Sequence, residues 1–188
     1  MTDRVQLTFK YASAFVGSEE IGLLVLVDKD EERQLVVTVD KNMMKHFQLR
    51  MSKTEDTGSF LPEVLVKMIK SSGLLDKLDL EIISIEKGQY QFLLTNIETS
   101  ESFPLRAGDA ILLSYISSLP IYISSSLMRR QSAPHSAQSS AMALPINAIS
   151  DEMLQNALDK AIENEDYKVA SYLRDEINNR KAPNTKEK

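Results

Sequence analysis

The chain contains no cysteine and only two histidines, His46 and His135. Without thiols there can be no disulfide, no thiolate zinc site and no cysteine nucleophile. Two histidines leave no room for a histidine-rich metal site. No stretch approaches the roughly 20 consecutive apolar residues of a membrane span. The opening MTDRVQLTFK lacks the charged-then-apolar build of a signal peptide, which points to a cytoplasmic protein without a membrane partner. Positive charge is also in short supply. The 22 Lys and Arg face 27 Asp and Glu, for a net charge of −5, and no segment forms a basic footprint. Phosphate neutralisation supplies most nonspecific nucleic-acid affinity, so tight binding of this kind is not expected. A local basic patch or a metal-assisted site remains open. No phosphate-cradling glycine loop, dinucleotide fingerprint or serine-type triad is visible.

What is present is ordinary for a globular protein: 43% hydrophobic and 26% charged residues in a chain of 188. That length suits one domain with a full core and a small appendage. The chain is organised around Phe103 to Met128, FPLRAGDAILLSYISSLPIYISSSLM. Leu105 to Asp109 reads as a short polar turn. Ala110 to Leu119 is apolar almost all round, broken only by Ser114, Ser117 and Ser118, which suits a helix buried on most faces. Gly108-Asp109 offers a flexible residue and a carboxylate able to accept from the first helical amides, beside the positive end of the dipole. Pro120 stops the helix, and Ile121-Tyr122-Ile123 has the β-branched and aromatic character of a strand.

Upstream, Val5 to Phe9 alternates as a strand does. Ile21 to Val27 is a continuous apolar run suited to a buried strand, answered by Leu35 to Val39 across the polar turn Asp28 to Glu32. Asp40 is placed to cap a helix through Lys41 to about Leu49, with Met43, Met44 and Phe47 on one face. Ser52 to Ser59 reads as a loop. A helix follows with Pro62 and Glu63 in its first turn, Val64, Leu65, Met68 and Ile69 as its apolar face, and Gly73 at its end. Leu78 to Ile85 and Gln89 to Ile97 are strands joined at Glu86-Lys87-Gly88, and Thr99 to Ser102 turns into the central segment. The expected class is α+β: a mostly antiparallel or mixed sheet with packed helices, followed by a C-terminal α-helical hairpin. The Ser, Ala, Gln and Pro of 129–150 predict a flexible linker, with His135 solvated in it. The hairpin at 151–180 starts at a Ser150-Asp151-Glu152 cap. It places Leu154, Ala157, Leu158, Ala161 and Ile162 on one stripe and Tyr167, Ala170, Leu173 and Ile177 on the other, and 181–188 is a polar tail.

Arg106, Asp109, Ala110 and Ile111, an apolar helix, then Pro120, Ile121, Tyr122 and Ile123 resemble the signature end of the bifunctional nuclease domain family. The resemblance spans about Val5 to Met128 and is densest from Leu61 onward. It implies a small α+β domain, residues 1–128, that cleaves DNA and RNA phosphodiesters. Glu63 falls where family members often carry the aspartate of Thr-His-Asp, with Leu61 and Pro62 in the other two places. Asp40 and Met43 stand where the family tends to have glycine and glutamate. A second segment, Leu154, Leu158, Ala161, Asp166, Tyr167, Ala170, Leu173, Arg174, Asp175 and Ile177, is similar to the UVR motif through which nucleotide-excision proteins B and C touch. It implies a protein-contact hairpin using Leu154, Leu158, Tyr167, Ala170, Leu173, Arg174, Asp175 and Ile177, with no chemistry of its own.

Phosphodiester cleavage needs an activated water and stabilised charge on phosphate, from a carboxylate-held metal or from a base with an arginine. The candidates are Asp109 as base or metal ligand, Arg106 as phosphate contact and Glu63 as second carboxylate. Asp109 and Glu63 would then be the ligands of a Mg²⁺ or Mn²⁺ ion. Capping alone also accounts for Asp109. The alternative function is a catalytically inactive scaffold whose hairpin docks a protein partner or a second copy, giving a homo-oligomer.

Overall fold

A computed structural model describes residues 3–14, 21–53, 55–135, 151–165 and 167–181. The Ser150 cap, most of the expected linker and the polar tail from 182 lie outside the described residues. Among these residues eight strands make one mixed sheet: β1 (Arg4–Ala14), β2 (Ile21–Asp28), β3 (Arg33–Asp40), β4 (Leu78–Glu86), β5 (Gln89–Asn96), β6 (Ser102–Arg106), β7 (Ile121–Ser124) and β8 (Ala133–Pro134). Their order is β6-β5-β4-β7-β1-β2-β3-β8. Among the described residues only the β4–β7 pair is parallel. Six helices accompany them among the described residues: α1 (Lys41–Ser52), α2 (Leu61–Ser71), α3 (Ala107–Ser117), α4 (Ser125–Gln131), α5 (Asp151–Glu163) and α6 (Tyr167–Lys181). The expected α+β class is therefore the observed one. No helix among the described residues is long and apolar enough to cross a membrane.

The apolar run of β2 is buried on both faces. Leu24 and Leu26 enter the main core, while Leu23, Val25 and Val27 form a smaller cluster with Val36 on the other side. The polar turn before β3 is held by Asp28, whose Oδ1 accepts from the amides of Glu32 and Arg33 at 2.9 and 3.1 Å. β7 sits between β1 and β4 with Ile121 and Ile123 fully buried, so the tetrad after Pro120 is the middle of the sheet. Ahead of it, α3 ends at Ser118, which takes a left-handed φ of 62° and donates its amide to the Ser114 carbonyl.

α1 starts where Asp40 accepts from the Met43 amide at 2.8 Å, as the sequence predicts. It packs closely because two neighbours lack side chains. A Cβ on Gly22 would stand 2.8 Å from Met44 Sδ, and one on Gly108 would stand 2.8 Å from Met43 Cγ. Phe9, Phe47 and Tyr115 then join β1, α1 and α3 at centroid distances of 5.1, 5.3 and 6.1 Å.

Four expectations need correction. The strand β6 occupies Ser102–Arg106, where a turn was expected, because its backbone pairs with β5 from Thr95 to Gln91. The chain stays ordered past Met128: α4 runs to Gln131 and Ala133–Pro134 pair with Arg33 and Gln34. Arg33 holds this segment, donating from Nε to Ser132 Oγ at 2.6 Å and from a terminal nitrogen to the Ser132 carbonyl at 2.8 Å. His135 is accordingly not loose, since its ring nitrogen Nδ1 meets Gln34 Oε1 at 2.8 Å. Lastly, the apolar face read on α2 points to solvent. Val64, Leu65 and Met68 are exposed, Ile69 is half-buried, and the buried residues are Glu63 and Val66.

In the hairpin, Leu154, Ala161, Ala170, Leu173 and Ile177 are buried against one another, with Ala157 and Leu158 half-buried beside them. The stripes thus face each other, except that Ile162, expected on the first, is exposed. Tyr167 stands outside them at 70% exposure, and Arg174 and Asp175 form an exposed pair at 3.3 Å.

Candidate functional site

The strand-to-helix step at Arg106 puts an arginine and, three residues on, an aspartate beside a cleft. β6 carries Arg106 at its end, in extended geometry (φ −66°, ψ 144°), and α3 begins at the next residue. Arginine has no side-chain acceptor, so the helix start lacks a side-chain cap. Asp109, in the first turn, does not take that role either. Its Oδ2 accepts from Arg106 Nε at 2.7 Å. The expected cap is therefore corrected: the neighbouring guanidinium, three residues back, draws the carboxylate away with a charge-assisted bond. The charge of Asp109 still lies beside the positive end of α3. Asp109, and more weakly Asp40, hold the Arg106 guanidinium in its charged form and push its pKa up.

Arg106 and Asp109 line a cleft of about 760 Å³, together with Asp40, Lys41, Asn42 and Met43 from the start of α1 and Tyr90 from β5. Glu152 and Asn156 of α5 line it as well. The side chain of Arg106 is 81% exposed and that of Asp109 38%, so both can reach a ligand. The apolar lining comes from Val39, Pro104 and Leu105, among others.

Glu63 is elsewhere. It lines a second cavity of about 320 Å³ with Arg50, Thr57, Tyr115 and Ile116, toward the C-terminal end of α3 rather than its start. Glu63 and Arg50 are both buried and lock in a two-pronged pair, Nε to Oε1 at 2.7 Å and the terminal nitrogen to Oε2 at 2.8 Å. Arg50 also donates to the His46 carbonyl at 2.8 Å and lies 5.8 Å from the centroid of Phe60. Burial opposes the charge on Glu63, but bonds from Arg50, Thr57 and its own amide outweigh it, with Arg50's charge, and its pKa falls below the ordinary value.

The sequence-predicted trio is thus split: Arg106 and Asp109 meet, and Glu63 does not join them. The residues do not fit a Mg²⁺ or Mn²⁺ ion shared by Asp109 and Glu63. Both oxygens of Glu63 are held by Arg50, and one of Asp109 is held by Arg106. Among the described residues no group of three or more His, Asp or Glu side chains is placed to hold a metal. Sequence reasoning missed two residues. Arg50 falls three residues after Phe47 on the buried face of α1, and an arginine there requires a buried acid. Tyr90 gave no signal, since an aromatic residue in a strand is usually core.

No curated protein matches the chain. The model of the bifunctional nuclease domain matches residues 24–136, which is more than half of the chain and runs from β2 through the residue after His135. The chain belongs to the bifunctional nuclease domain family.

Proposed function

We propose that the chain hydrolyses nucleic-acid phosphodiester bonds, in DNA and RNA, in the cleft at the start of α3. The observation that carries this reading is the exposed Arg106–Asp109 pair lining the larger cleft in a chain of this family. Arg106 turns from Asp109 to a phosphate oxygen and offsets the charge that builds there. Asp109, released from the pair, takes a proton from the attacking water; as the new P–O bond forms, the P–O bond to the leaving sugar oxygen breaks and that oxygen is protonated from solvent. Glu63 is a structural residue that fixes α2 to α1. Plasmid and total RNA incubated with purified chain, with and without a chelator, test the reading beside Asp109→Ala. Cleavage by the parent and none by the variant is expected; equal cleavage by both would trace the activity to a contaminant.

A second reading, a catalytically inactive scaffold, is favoured by the fully occupied carboxylate of Glu63. In either case the hairpin 151–180 resembles the UVR motif and serves as a protein contact, with a partner or a second copy, in the cytoplasm. Tyr167, Arg174 and Asp175 are its exposed members. Deleting 150–188 should lower the mass of the assembly in solution; an unchanged assembly with unchanged partners would remove this part.

A further inference from the structure

Tyr90 lies on β5 opposite Ile85 and packs into the main core at 3% exposure, yet it also lines the cleft that holds Arg106 and Asp109. Its hydroxyl is buried and has no hydrogen-bond partner among the described residues. An orphaned buried hydroxyl costs about 1–3 kcal/mol, and phenylalanine would avoid that cost with the same ring. The position therefore holds a donor without an internal use. Burial pushes the phenol pKa up, so the group stays protonated and donates at any ordinary pH.

The cleft has two kinds of lining. Val39, Met43, Pro104 and Leu105 are apolar like the ring of Tyr90, while Asp40, Lys41, Arg106, Asp109 and Glu152 are charged, with three acids against two bases. A phosphate drawn into the apolar part would lose hydration at far greater cost than a neutral polar group. A neutral donor in apolar surroundings matches a neutral, flat ligand with acceptors on its edge. At about 760 Å³ the cleft is within the ordinary range of small-molecule sites, about 300–1,000 Å³. We infer that it takes one unstacked base of a single-stranded nucleic acid, with the Tyr90 hydroxyl donating to an acceptor on the base edge and the adjoining phosphate at Arg106. This rests on the nuclease reading and adds what that reading lacks, a choice of strand. A paired base is out of reach unless it is flipped, which costs a few kcal/mol.

The test is binding, measured by fluorescence anisotropy in the Asp109→Asn background so that the strand survives. The probes are a labelled single strand, the same strand with one abasic position in the middle of a short register, and its duplex. Tyr90→Phe should weaken the base-bearing strand about fivefold and leave the abasic strand unchanged, as the loss of one hydrogen bond predicts. The variant should melt at the parent temperature or above it, since it removes an unpartnered hydroxyl, which separates lost binding from lost folding. The duplex should bind more weakly than the single strand. Equal losses on both strands, no loss on either, or a duplex bound as tightly as the single strand would overturn the inference. Arg106→Ala acts on the phosphate and separates the two readings. If it changes nothing the nuclease reading fails, whereas if only the Tyr90 contrast is missing the base pocket alone fails.

Discussion

Arg106 and Asp109 stand three residues apart, one ending a strand and the other in the first turn of a helix, and that spacing brings their side chains to 2.7 Å. The sequence showed both residues, but assigned the carboxylate to the helix amides. Local geometry decided otherwise, because a guanidinium offers a stronger partner than a backbone N–H. Since Asp109 makes no cap, Asp109→Asn should change stability by no more than about 0.5 kcal/mol, the usual range for a surface site; a melting curve checks this. Gly22 behaves in the opposite way. Its missing Cβ is where Met44 sits, with three methionine atoms at 2.8 to 2.9 Å from the place it would occupy. One of those atoms is the methionine's own Cβ, which a rotamer change cannot move. Gly22→Ala should therefore cost about 1–3 kcal/mol in a denaturant titration, as overpacked cores do. Tyr90 was illegible for a different reason: sequence shows a ring, and only packing shows a hydroxyl without a partner.

At the scale of elements, α2 is the instructive failure. Its spacing gave a clean apolar face, yet Leu65 is 46% exposed and Met68 62%, while Glu63 turns inward. Periodicity finds a stripe but cannot say which way it faces when a buried ion pair anchors the other side. Arg50 on α1 supplies that anchor through both oxygens of Glu63. Removing one partner leaves a buried charge, so Glu63→Ala should destabilise by about 3–5 kcal/mol, whereas Arg50→Met with Glu63→Leu should be near neutral or better. The carboxyl's folded pKa lies below its ordinary value of 4.5, so it contributes stability above that pH and loses it as pH falls through the folded value. The double variant should accordingly show a flatter fall of unfolding free energy below pH 4.5 than the parent; parallel curves would contradict the role of the pair. The elements read most securely were those with two agreeing signals, such as the Asp40 cap before an apolar face and the hairpin from β2 to β3. β6 was missed because its residues Ser102 to Pro104 are exposed, so only backbone pairing reveals it.

For the whole molecule, class and sheet character followed from the order of patterns, since buried runs and hairpins admit few arrangements. The end of the sheeted region did not follow, because Ser132 and Ala133 look like linker until Arg33 holds the first and Gln34 pairs with the second. Charge is a whole-molecule property, and at −5 it limits how nucleic acid can be held. One or two phosphate contacts on a single strand predict a slope of log affinity against log salt of about −0.7 to −1.4. A slope several times steeper would mean a basic surface other than Arg106. The larger cleft and the Arg50–Glu63 cavity lie at different ends of α3, and the chemistry is assigned to the first of them. The most direct test compares cleavage rates of Asp109→Asn and of the Arg50→Met, Glu63→Leu double variant on one single-stranded substrate, each at matched folded fraction. Activity lost in the first and kept in the second is the predicted result. Activity kept in the first and lost in the second would place the chemistry at Glu63 and contradict the assignment.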